Sequence, residues 1–382
     1  MSRFARIVVV GNGIAGLTAG DSLRAAGFDG ELTIIGDERH MPYSRPALSK
    51  AALLDSDEMT SHQLPAPSHE ASELLGVSAA SLDVDRKRVI LDDGADVPYD
   101  AVIIATGSRA RRLGGDDSRE LTLRGLDDAL TLRSRLADKP SVVVIGGGPL
   151  GMEIASGCLA VGCEVTLVAN GRPLVNQLGE YLSDFFVKTA LDHGLRLAST
   201  HAVGVDSSVE QPRVVLADGS VLEAGLVISA VGDLPNTEWL TSSGLLVNGR
   251  LEVDGRGRLR PDIVAVGDVA VFPTRRGLRR IPLWTSAIEQ SKAAARALID
   301  PDAPDLQFEP YFWTEQFGLN LKASGFLPLV GEPEVIEGDL DAASALMRWT
   351  HEDGTGTGTG VALNYRIPIP KLRRLSAAPA VA

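Results

Sequence analysis

Two glycine-rich segments have the residue types and spacing that bind a dinucleotide. The first, residues 11–16, reads Gly-Asn-Gly-Ile-Ala-Gly, and the second, residues 146–151, reads Gly-Gly-Gly-Pro-Leu-Gly. Glycines at these positions let backbone N–H groups and a helix N-terminus meet a pyrophosphate directly. Because one chain carries both segments, they predict a transfer of electrons between two bound dinucleotides. The residues singled out are Gly11, Gly13, Ile14, Ala15 and Gly16 in the first segment, and Gly146, Gly148, Leu150 and Gly151 in the second.

An acidic residue usually follows the second strand of such a unit, about 20 residues after the glycines, where it binds a ribose hydroxyl. After the first segment this place is taken by Asp37 and Glu38, which follow the apolar run 32–35. We favour Asp37 as the ribose ligand. The alternative is a solvated acidic turn with no ligand.

The second segment departs from this pattern. The strand at 165–168 is followed by Ala169, so a ribose-binding carboxylate is missing there. Discrimination in favour of NADH then weakens, and Arg172 can meet a 2′-phosphate instead. The sequence leaves NADH, NADPH or either nucleotide open, and a degraded second site that binds nothing well is the alternative.

The elements that must position these residues repeat along the chain. Apolar β-branched runs at 5–10 and 142–145 precede the glycines, helical patterns end near Gly27 and Val161, and a second strand follows each helix. Each glycine segment therefore lies between a strand and a helix, as a nucleotide-binding βαβ unit requires.

Three more apolar strands, at 101–105, 226–231 and 263–266, end at small residues where a ligand can approach a parallel sheet. The chain changes character from about Phe308, where strands alternate with a Gly-Thr run at 354–360. The sequence thus predicts an α/β protein with two Rossmann-like domains and a smaller α+β C-terminal domain. The residues at the three strand ends are Ala105, Thr106, Gly107, Gly232, Gly267 and Asp268.

The composition excludes several other classes. The net charge of −13 argues against general nucleic-acid binding, which needs a basic surface. No apolar run reaches the roughly 18 to 20 residues that span a bilayer, and we expect a cytoplasmic protein. Cys158 and Cys163 lie in one predicted helix segment without Cys-x-x-Cys spacing, so we expect buried, inert thiols. The six histidines have no metal-ligand spacing, and no metal is predicted.

The segment 42–50, Pro-Tyr-Ser-Arg-Pro-Ala-Leu-Ser-Lys, resembles a signature of the FAD-dependent ferredoxin reductases of oxygenase systems, the putidaredoxin reductase-like family. Further blocks that are similar to this family follow at 105–107, 231–236, 265–268 and 312–317, so the resemblance covers nearly the whole chain.

The resemblance implies that Lys50 lies near the reactive N5 edge of a flavin and that Glu153 faces Lys50 from the nicotinamide side. A cation there stabilises negative charge on reduced flavin, and the carboxylate orients the cation. The alternatives are a surface lysine and an ordinary first-turn glutamate. The expected FAD residues are Gly11, Gly13, Ile14, Ala15, Gly16, Asp37, Glu38, Arg45, Lys50, Ala105, Thr106, Gly107, Arg133, Gly267, Asp268 and Trp284. The expected NAD(P) residues are Gly146, Gly148, Leu150, Gly151, Glu153, Arg172 and Gly232.

The implied function is hydride transfer from NAD(P)H to FAD, followed by single-electron transfer to a ferredoxin that serves a P450 or another oxygenase. The alternatives are a flavoenzyme that acts directly on a small organic substrate or oxygen, and a non-catalytic FAD-binding module. The expected domains are an FAD domain (1–109 and 242–305), an NAD(P) domain (110–241) and a C-terminal interface domain (306–382).

A small acidic ferredoxin needs a basic docking surface on this acidic chain. One arginine cluster precedes Trp284 and a second, at 109–112, follows Gly107; a solvated loop without a partner is the alternative. The sequence leaves monomer or homodimer open. The favoured cluster consists of Arg275, Arg276, Arg279 and Arg280.

Overall fold

The computed structural model describes residues 3–50, 53, 61–115, 118–207, 211–351 and 357–377. Residues 354–356 of the predicted Gly-Thr run lie outside these ranges. Contacts divide the chain into two compact units. The first unit comprises Met1–Ser44, Gln63–Arg109 and Leu234–Pro310, and the second comprises Arg45–His62, Ala110–Asp233 and Tyr311–Ala382.

The strands are numbered in chain order. They are β1 (Arg6–Val10), β2 (Glu31–Gly36), β3 (Ser72–Leu75), β4 (Ala79–Asp83), β5 (Arg88–Leu91), β6 (Asp96–Pro98), β7 (Ala101–Ile104), β8 (Ser108–Ala110), β9 (Val142–Ile145), β10 (Val165–Val168), β11 (Arg196–Ala198), β12 (Ala202–Asp206), β13 (Arg213–Leu216), β14 (Val221–Glu223), β15 (Leu226–Ser229), β16 (Asp233–Pro235), β17 (Leu251–Glu252), β18 (Arg258–Arg260), β19 (Ile263–Ala265), β20 (Ala270–Thr274), β21 (Gly277–Arg279), β22 (Tyr311–Gln316), β23 (Leu319–Ser324), β24 (Glu334–Asp339), β25 (Ser344–Thr350) and β26 (Gly358–Leu363).

The helices are numbered in the same way. They are α1 (Ile14–Ala25), α2 (Leu126–Leu136), α3 (Pro149–Ala160), α4 (Val175–Leu178), α5 (Glu180–Asp192), α6 (Trp284–Ile299) and α7 (Ile369–Ser376), with short 3-10 helices at Arg45–Ala47, Glu238–Leu240 and Gly267–Val269. None of the helices in the described ranges is both long and apolar enough to cross a membrane.

The first unit is built on a sheet in the order β18–β19–β7–β1–β2–β3. Strand β1 lies between β2 and β7 and runs parallel to both, with Val9 opposite Ile34 and Ile103. Side chains that alternate along β1 enter separate apolar clusters, because Val9 packs with α1 and α6 whereas Val8 packs on the other face. Burial on both faces explains the continuous apolar run that the sequence shows.

The second unit repeats this arrangement in a sheet with the order β11–β10–β9–β15, in which every pair is parallel. Strand β9 lies between β10 and β15, with Val143 opposite Thr166 and Val227. An antiparallel sheet, β12–β13–β14, contributes Val214 to the same apolar cluster. In both units the strand order reverses beside the strand that precedes the glycines, which is where α/β sheets bind ligands.

The C-terminal part of the second unit is an antiparallel sheet in the order β22–β23–β26–β25–β24. Helix α7 packs on this sheet through Leu372, which is fully buried with Leu346 and Ala362. Strand β22 also contacts helix α3. This contact brings the C-terminal segment to the second glycine unit.

The predicted fold class is confirmed, and the predicted helix and strand ends shift by a few residues. Helix α3 begins at Pro149, because proline is favoured at the first helical position, and it ends at Ala160. Cys163 therefore lies beyond the helix instead of within it. The contacts group residues 311–382 with 110–233. The division into three domains with a boundary near residue 306 stays a prediction.

Candidate active site

The first glycine segment forms a tight cradle between β1 and α1. A Cβ atom on Gly11, which has φ +115°, would lie 2.2 Å from the Ala105 carbonyl oxygen, and one on Gly16 would lie 1.9 Å from the Gly11 oxygen. Both positions are sterically closed to any other residue. Gly13 faces open space instead, and no side chain caps the α1 N-terminus. The N–H groups of a helix N-terminus that no side chain caps can donate to a pyrophosphate that approaches over an open glycine.

The second segment reproduces this geometry between β9 and α3. Gly146, with φ +119°, would place a Cβ 2.2 Å from the Ala230 oxygen, and Gly151 would place one 1.9 Å from the Gly146 oxygen. Gly148 again faces open space, and Pro149 and Leu150 begin a helix without a side-chain cap. The described part of the chain therefore contains two glycine cradles of nearly identical construction.

The two acidic candidates in the first unit differ in their surroundings. Asp37 is exposed directly after β2, next to Gly36, whose Cβ position would lie 2.7 Å from the Cβ of Asn12 in the glycine loop. Glu38 is half-buried and accepts a hydrogen bond from the Tyr43 hydroxyl. Asp37 thus remains the more accessible carboxylate beside the cradle. The buried Oδ1 of Asn12 has no partner within the described ranges, which also fits a ligand that donates hydrogen bonds there.

Some of the other FAD residues predicted in the first unit pack against the same cradle. Ala105 contributes the carbonyl that packs on Gly11, and Gly267 would place a Cβ 3.2 Å from the Cβ of Ala15. The Thr106 hydroxyl donates to the carbonyl of Asn236, and the Asn236 amide returns a bond to the carbonyl of Thr106, each at 2.9 Å. Of the remaining members, Ile14 begins α1, Gly107 follows Thr106, Asp268 follows Gly267 and Trp284 begins α6. Their contact with FAD stays a prediction.

Arg45, Lys50 and Arg133 belong to the second unit. Arg45 lies in the 3-10 helix Arg45–Ala47 and donates to the carbonyl of Arg124 at 3.0 Å. Arg133 is half-buried in α2. Contact of these three side chains with FAD stays a prediction.

The ribose end of the second cradle differs from the first. The side chain of Ala169 is buried, and a Cβ on Gly147 would lie 2.9 Å from the Cβ of Ala169. Arg172 is half-exposed, and its Nη1 lies 2.5 Å from the Asp184 carboxylate of α5. This ion pair was not predicted, and the meeting of Arg172 with a 2′-phosphate stays a prediction. Gly232, with φ +101°, lies between β15 and β16, and its Cβ position faces open space.

The structure brings Lys50 and Glu153 together. Lys50 Nζ lies 2.8 Å from Glu153 Oε2, and the two side chains are 12% and 6% exposed. The ammonium also donates to the Pro46 carbonyl at 3.2 Å and lies 5.9 Å from the centre of the Trp313 ring. The alternative that Lys50 is a surface lysine is therefore wrong. Glu153 lies in the first turns of α3, directly after the second cradle.

The sequence assigned no role to three polar side chains that hold Glu153, two of them directly and the third through a neighbour. Ser49 donates to Glu153 Oε2, and Thr314 donates to Oε1 at 2.6 Å. The Gln316 amide donates to Thr314 Oγ1 at 2.8 Å. Alternation in a strand puts Thr314 and Gln316 on one face of β22, which was the available signal, but sequence alone does not show what that face meets.

The cysteines are free and buried, as predicted. Burial raises the pKa of Cys158 to about 12, and the neighbouring Cys163 acts in the same direction. Burial also raises the pKa of Cys163. A thiolate is the reactive form, so neither side chain is suited to disulfide chemistry. Within the described ranges no group of His, Cys, Asp and Glu could hold a metal ion.

The favoured arginine cluster lies on the β20–β21 hairpin. Arg275 and Arg279 are exposed, whereas Arg276 and Arg280 are half-buried. Arg280 donates to the Asp268 carbonyl at 3.2 Å, so it helps to hold a predicted FAD residue. In the second cluster, Arg109 pairs with Glu238 at 2.6 Å.

Comparison with known proteins agrees with these features. Residues 5–291 match the family model described as pyridine nucleotide-disulphide oxidoreductase. The chain is 33% identical over 353 residues to the benzene 1,2-dioxygenase system ferredoxin–NAD(+) reductase subunit of Pseudomonas putida, covering 89% of this chain and 85% of that protein.

Two solved structures are also similar. The ferredoxin reductase for the CYP199A2 system from Rhodopseudomonas palustris has a TM-score of 0.87 and 30% identity, over 94% of this chain and 91% of that one. A covalent putidaredoxin reductase–putidaredoxin complex has a TM-score of 0.87 and 28% identity, over 98% of this chain and 93% of that one.

Proposed function

The chain belongs to the pyridine nucleotide-disulphide oxidoreductase family, and we propose that it is an FAD-dependent ferredoxin reductase that draws electrons from NADH and serves an oxygenase. The observation that carries the proposal is the pair of matching glycine cradles in one chain, one open at Gly13 and the other at Gly148. Relatives named ferredoxin–NAD(+) reductase components support NADH as the donor. The covalent complex of a relative with putidaredoxin supports a ferredoxin as the acceptor.

The first cradle is proposed to hold FAD. Gly13 and the uncapped α1 N-terminus receive its pyrophosphate, and Asp37 accepts a hydrogen bond from its ribose. The second cradle, at Gly148, is proposed to hold the pyrophosphate of NADH in the same way. When bound, FAD accepts a hydride from the nicotinamide and gives its two electrons singly to a one-electron carrier.

Lys50 and Glu153 are proposed to supply the electrostatics of this reaction. With FAD bound, the Lys50 ammonium would stabilise negative charge on the reduced cofactor, because a fixed and largely buried cation acts more strongly than one in water. The Glu153 carboxylate holds that ammonium by the 2.8 Å contact and lowers the cost of burying it. The protein thus positions charge, and the cofactors carry the electrons.

The protein is proposed to work in the cytoplasm. Reduced nicotinamide nucleotides are consumed there, and two free cysteines suit a reducing compartment.

The test is a pair of half-reactions with the purified holoprotein. Anaerobic mixing with NADH is expected to bleach the flavin absorbance, and a ferredoxin from an oxygenase system is then expected to restore it much faster than air does. Cytochrome c reduction should accordingly depend on added ferredoxin. Reoxidation by air as fast as by ferredoxin would instead support a flavoenzyme that acts directly on oxygen, and a flavin that NADH does not bleach would contradict the proposal altogether.

A further inference from the structure

The carboxylate of Glu153 is held at both of its oxygens. Oε2 receives the Ser49 hydroxyl and the Lys50 ammonium, and Oε1 receives the Thr314 hydroxyl at 2.6 Å. Thr314 is separated from Glu153 by 161 positions in sequence and is 0% exposed, whereas Glu153 is 5% exposed. The C-terminal strand β22 therefore supplies one of the donors on the carboxylate that pairs with Lys50.

The direction of the Thr314 bond follows from its neighbours. A carboxylate only accepts hydrogen bonds, so the Thr314 proton points to Glu153 and its lone pair is left to accept from the Gln316 amide at 2.8 Å. Gln316 is itself 3% exposed, and its Oε1 is buried without a partner in the described part of the chain. Gln316 thus donates to Thr314 and Thr314 to Glu153, and the Lys50 ammonium donates to the other oxygen of the same carboxylate.

A carboxylate held at one oxygen only can turn, because the last torsion of a glutamate side chain is soft. The Thr314 bond at Oε1 fixes the plane of the carboxylate and leaves Oε2 towards the ammonium. Hydrogen bonds to ionised groups are about twice as strong as neutral ones, so one hydroxyl is enough to select this orientation.

We infer that Thr314 is a positioning residue that fixes the Lys50 ammonium by orienting the Glu153 carboxylate, and that Gln316 orients the Thr314 hydroxyl. The catalytic role given to this ammonium rests on the proposed function. The placement of the ammonium does not, because it depends only on contacts within the second unit.

The first variant to test is Thr314→Val, which keeps the shape of the side chain and removes the hydroxyl. Thr314→Ser restores the donor. A matched control is Thr359→Val, which removes a hydroxyl from another threonine that is 0% exposed in the same sheet. That hydroxyl donates to the Phe326 carbonyl at 2.9 Å instead of a carboxylate.

Two measurements are made on the FAD-loaded protein. In stopped-flow reduction by NADH, Thr314→Val is expected to lower the limiting rate about tenfold with the Kd of NADH unchanged, the order of effect of one lost bond to a charged group. Thr314→Ser and Thr359→Val should keep the wild-type rate. Separately, acylation of Lys50 by acetic anhydride, measured by mass spectrometry, should be faster in Thr314→Val. The reagent acylates the amine form with release of acetate and a proton, and a side chain that Glu153 no longer holds in place reaches the reagent more readily. Gln316→Leu should change both values in the same direction by less.

The outcomes separate this inference from the proposed function. A wild-type flavin that NADH fails to bleach contradicts the proposed function, and Lys50 acylation then still decides the positioning role. Equal limiting rates and equal Lys50 acylation in wild type and Thr314→Val would overturn the inference. A loss of the same size in Thr359→Val would also overturn it, because the effect would then come from the sheet and not from Glu153.

Discussion

Among single side chains, Arg172 is the one on which we expect the choice between NADH and NADPH to depend. Its partner Asp184 lies at 2.5 Å, but both side chains are about half-exposed, at 49% and 59%. Exposed ion pairs contribute roughly 0 to 1 kcal/mol, so a ligand phosphate can displace the aspartate at little cost. Ala169 occupies the position where a ribose-binding acid is expected, and it is buried against Gly147. Arg172 is the charged residue nearest to that position in the sequence.

We expect Arg172→Leu to leave kcat/KM for NADH close to wild type and to lower the value for NADPH about tenfold, the effect of one charge-assisted hydrogen bond. The measurement is ferricyanide reduction with each nucleotide.

Lys188→Leu is the control. Lys188 forms a comparable exposed ion pair with Asp192, at 3.1 Å, on helix α5, which also carries Asp184. Equal losses with NADH and NADPH would contradict a role for Arg172 in binding the 2′-phosphate.

Within the strand–loop–helix elements, the glycines have two distinct tasks. Gly11 and Gly16 in one loop, and Gly146 and Gly151 in the other, allow backbone to approach backbone, since a Cβ would overlap a carbonyl oxygen at 2.2 or 1.9 Å. Gly13 in the first loop and Gly148 in the second meet no protein atom within 4 Å of their Cβ positions. The outer glycines therefore serve the fold, and these two serve the ligand.

Gly13→Ala and Gly148→Ala are therefore expected to fold and to lose ligands selectively. The added methyl group stands where the pyrophosphate approaches the backbone. Gly13→Ala should release FAD, seen as a lower flavin-to-protein ratio after gel filtration. Gly148→Ala should keep FAD and bind NADH about tenfold more weakly, since lost phosphate contacts to N–H groups are of that order.

Gly204→Ala is the matched control, because its Cβ position is also open and it belongs to β12 and to neither glycine segment. If Gly148→Ala lost FAD and Gly13→Ala kept it, the assignment of the two cradles would be reversed.

For the molecule as a whole, charge is the constraint on partner binding. The net charge of −13 repels an acidic ferredoxin at long range, so association needs a local basic surface. On the β20–β21 hairpin, Arg275 and Arg279 are exposed and suited to docking, whereas Arg280 is bound to the Asp268 carbonyl. The hairpin is the proposed docking surface, and Arg280 holds the Asp268 backbone instead of facing a partner.

Charge reversal by Arg275→Glu and Arg279→Glu, alone and together, should slow ferredoxin-dependent cytochrome c reduction and leave ferricyanide reduction unchanged. The effect should fade as salt is added, because exposed charges are screened over about 10 Å at 0.1 M.

Arg86→Glu provides the control in the same unit, where its side chain is 81% exposed and its Nη1 lies 3.9 Å from the Asp83 carboxylate. Docking at the hairpin would be rejected if ferricyanide reduction fell with cytochrome reduction, or if Arg86→Glu had the same effect.

The sequence by itself determined the two βαβ units and their cradles. This was possible because the βαβ pattern is local: a buried strand, close-packed glycines and an uncapped helix follow one another within about 20 residues, and sterics leaves few alternatives. The burial of the cysteines and the α/β fold class were predictable for the same reason, since apolar runs between glycine turns indicate strands covered on both faces.

Only the tertiary structure decided which distant side chains meet. Thr314 reaches Glu153 across 161 positions because β22 contacts α3, and nothing in the spacing of the two residues encodes that contact. The same holds for the pairing of Arg172 with Asp184, and for the grouping of residues 311–382 with the second glycine unit. Such contacts depend on how sheets and helices pack after they form, so local sequence patterns specify the cradles but not the polar network around Lys50.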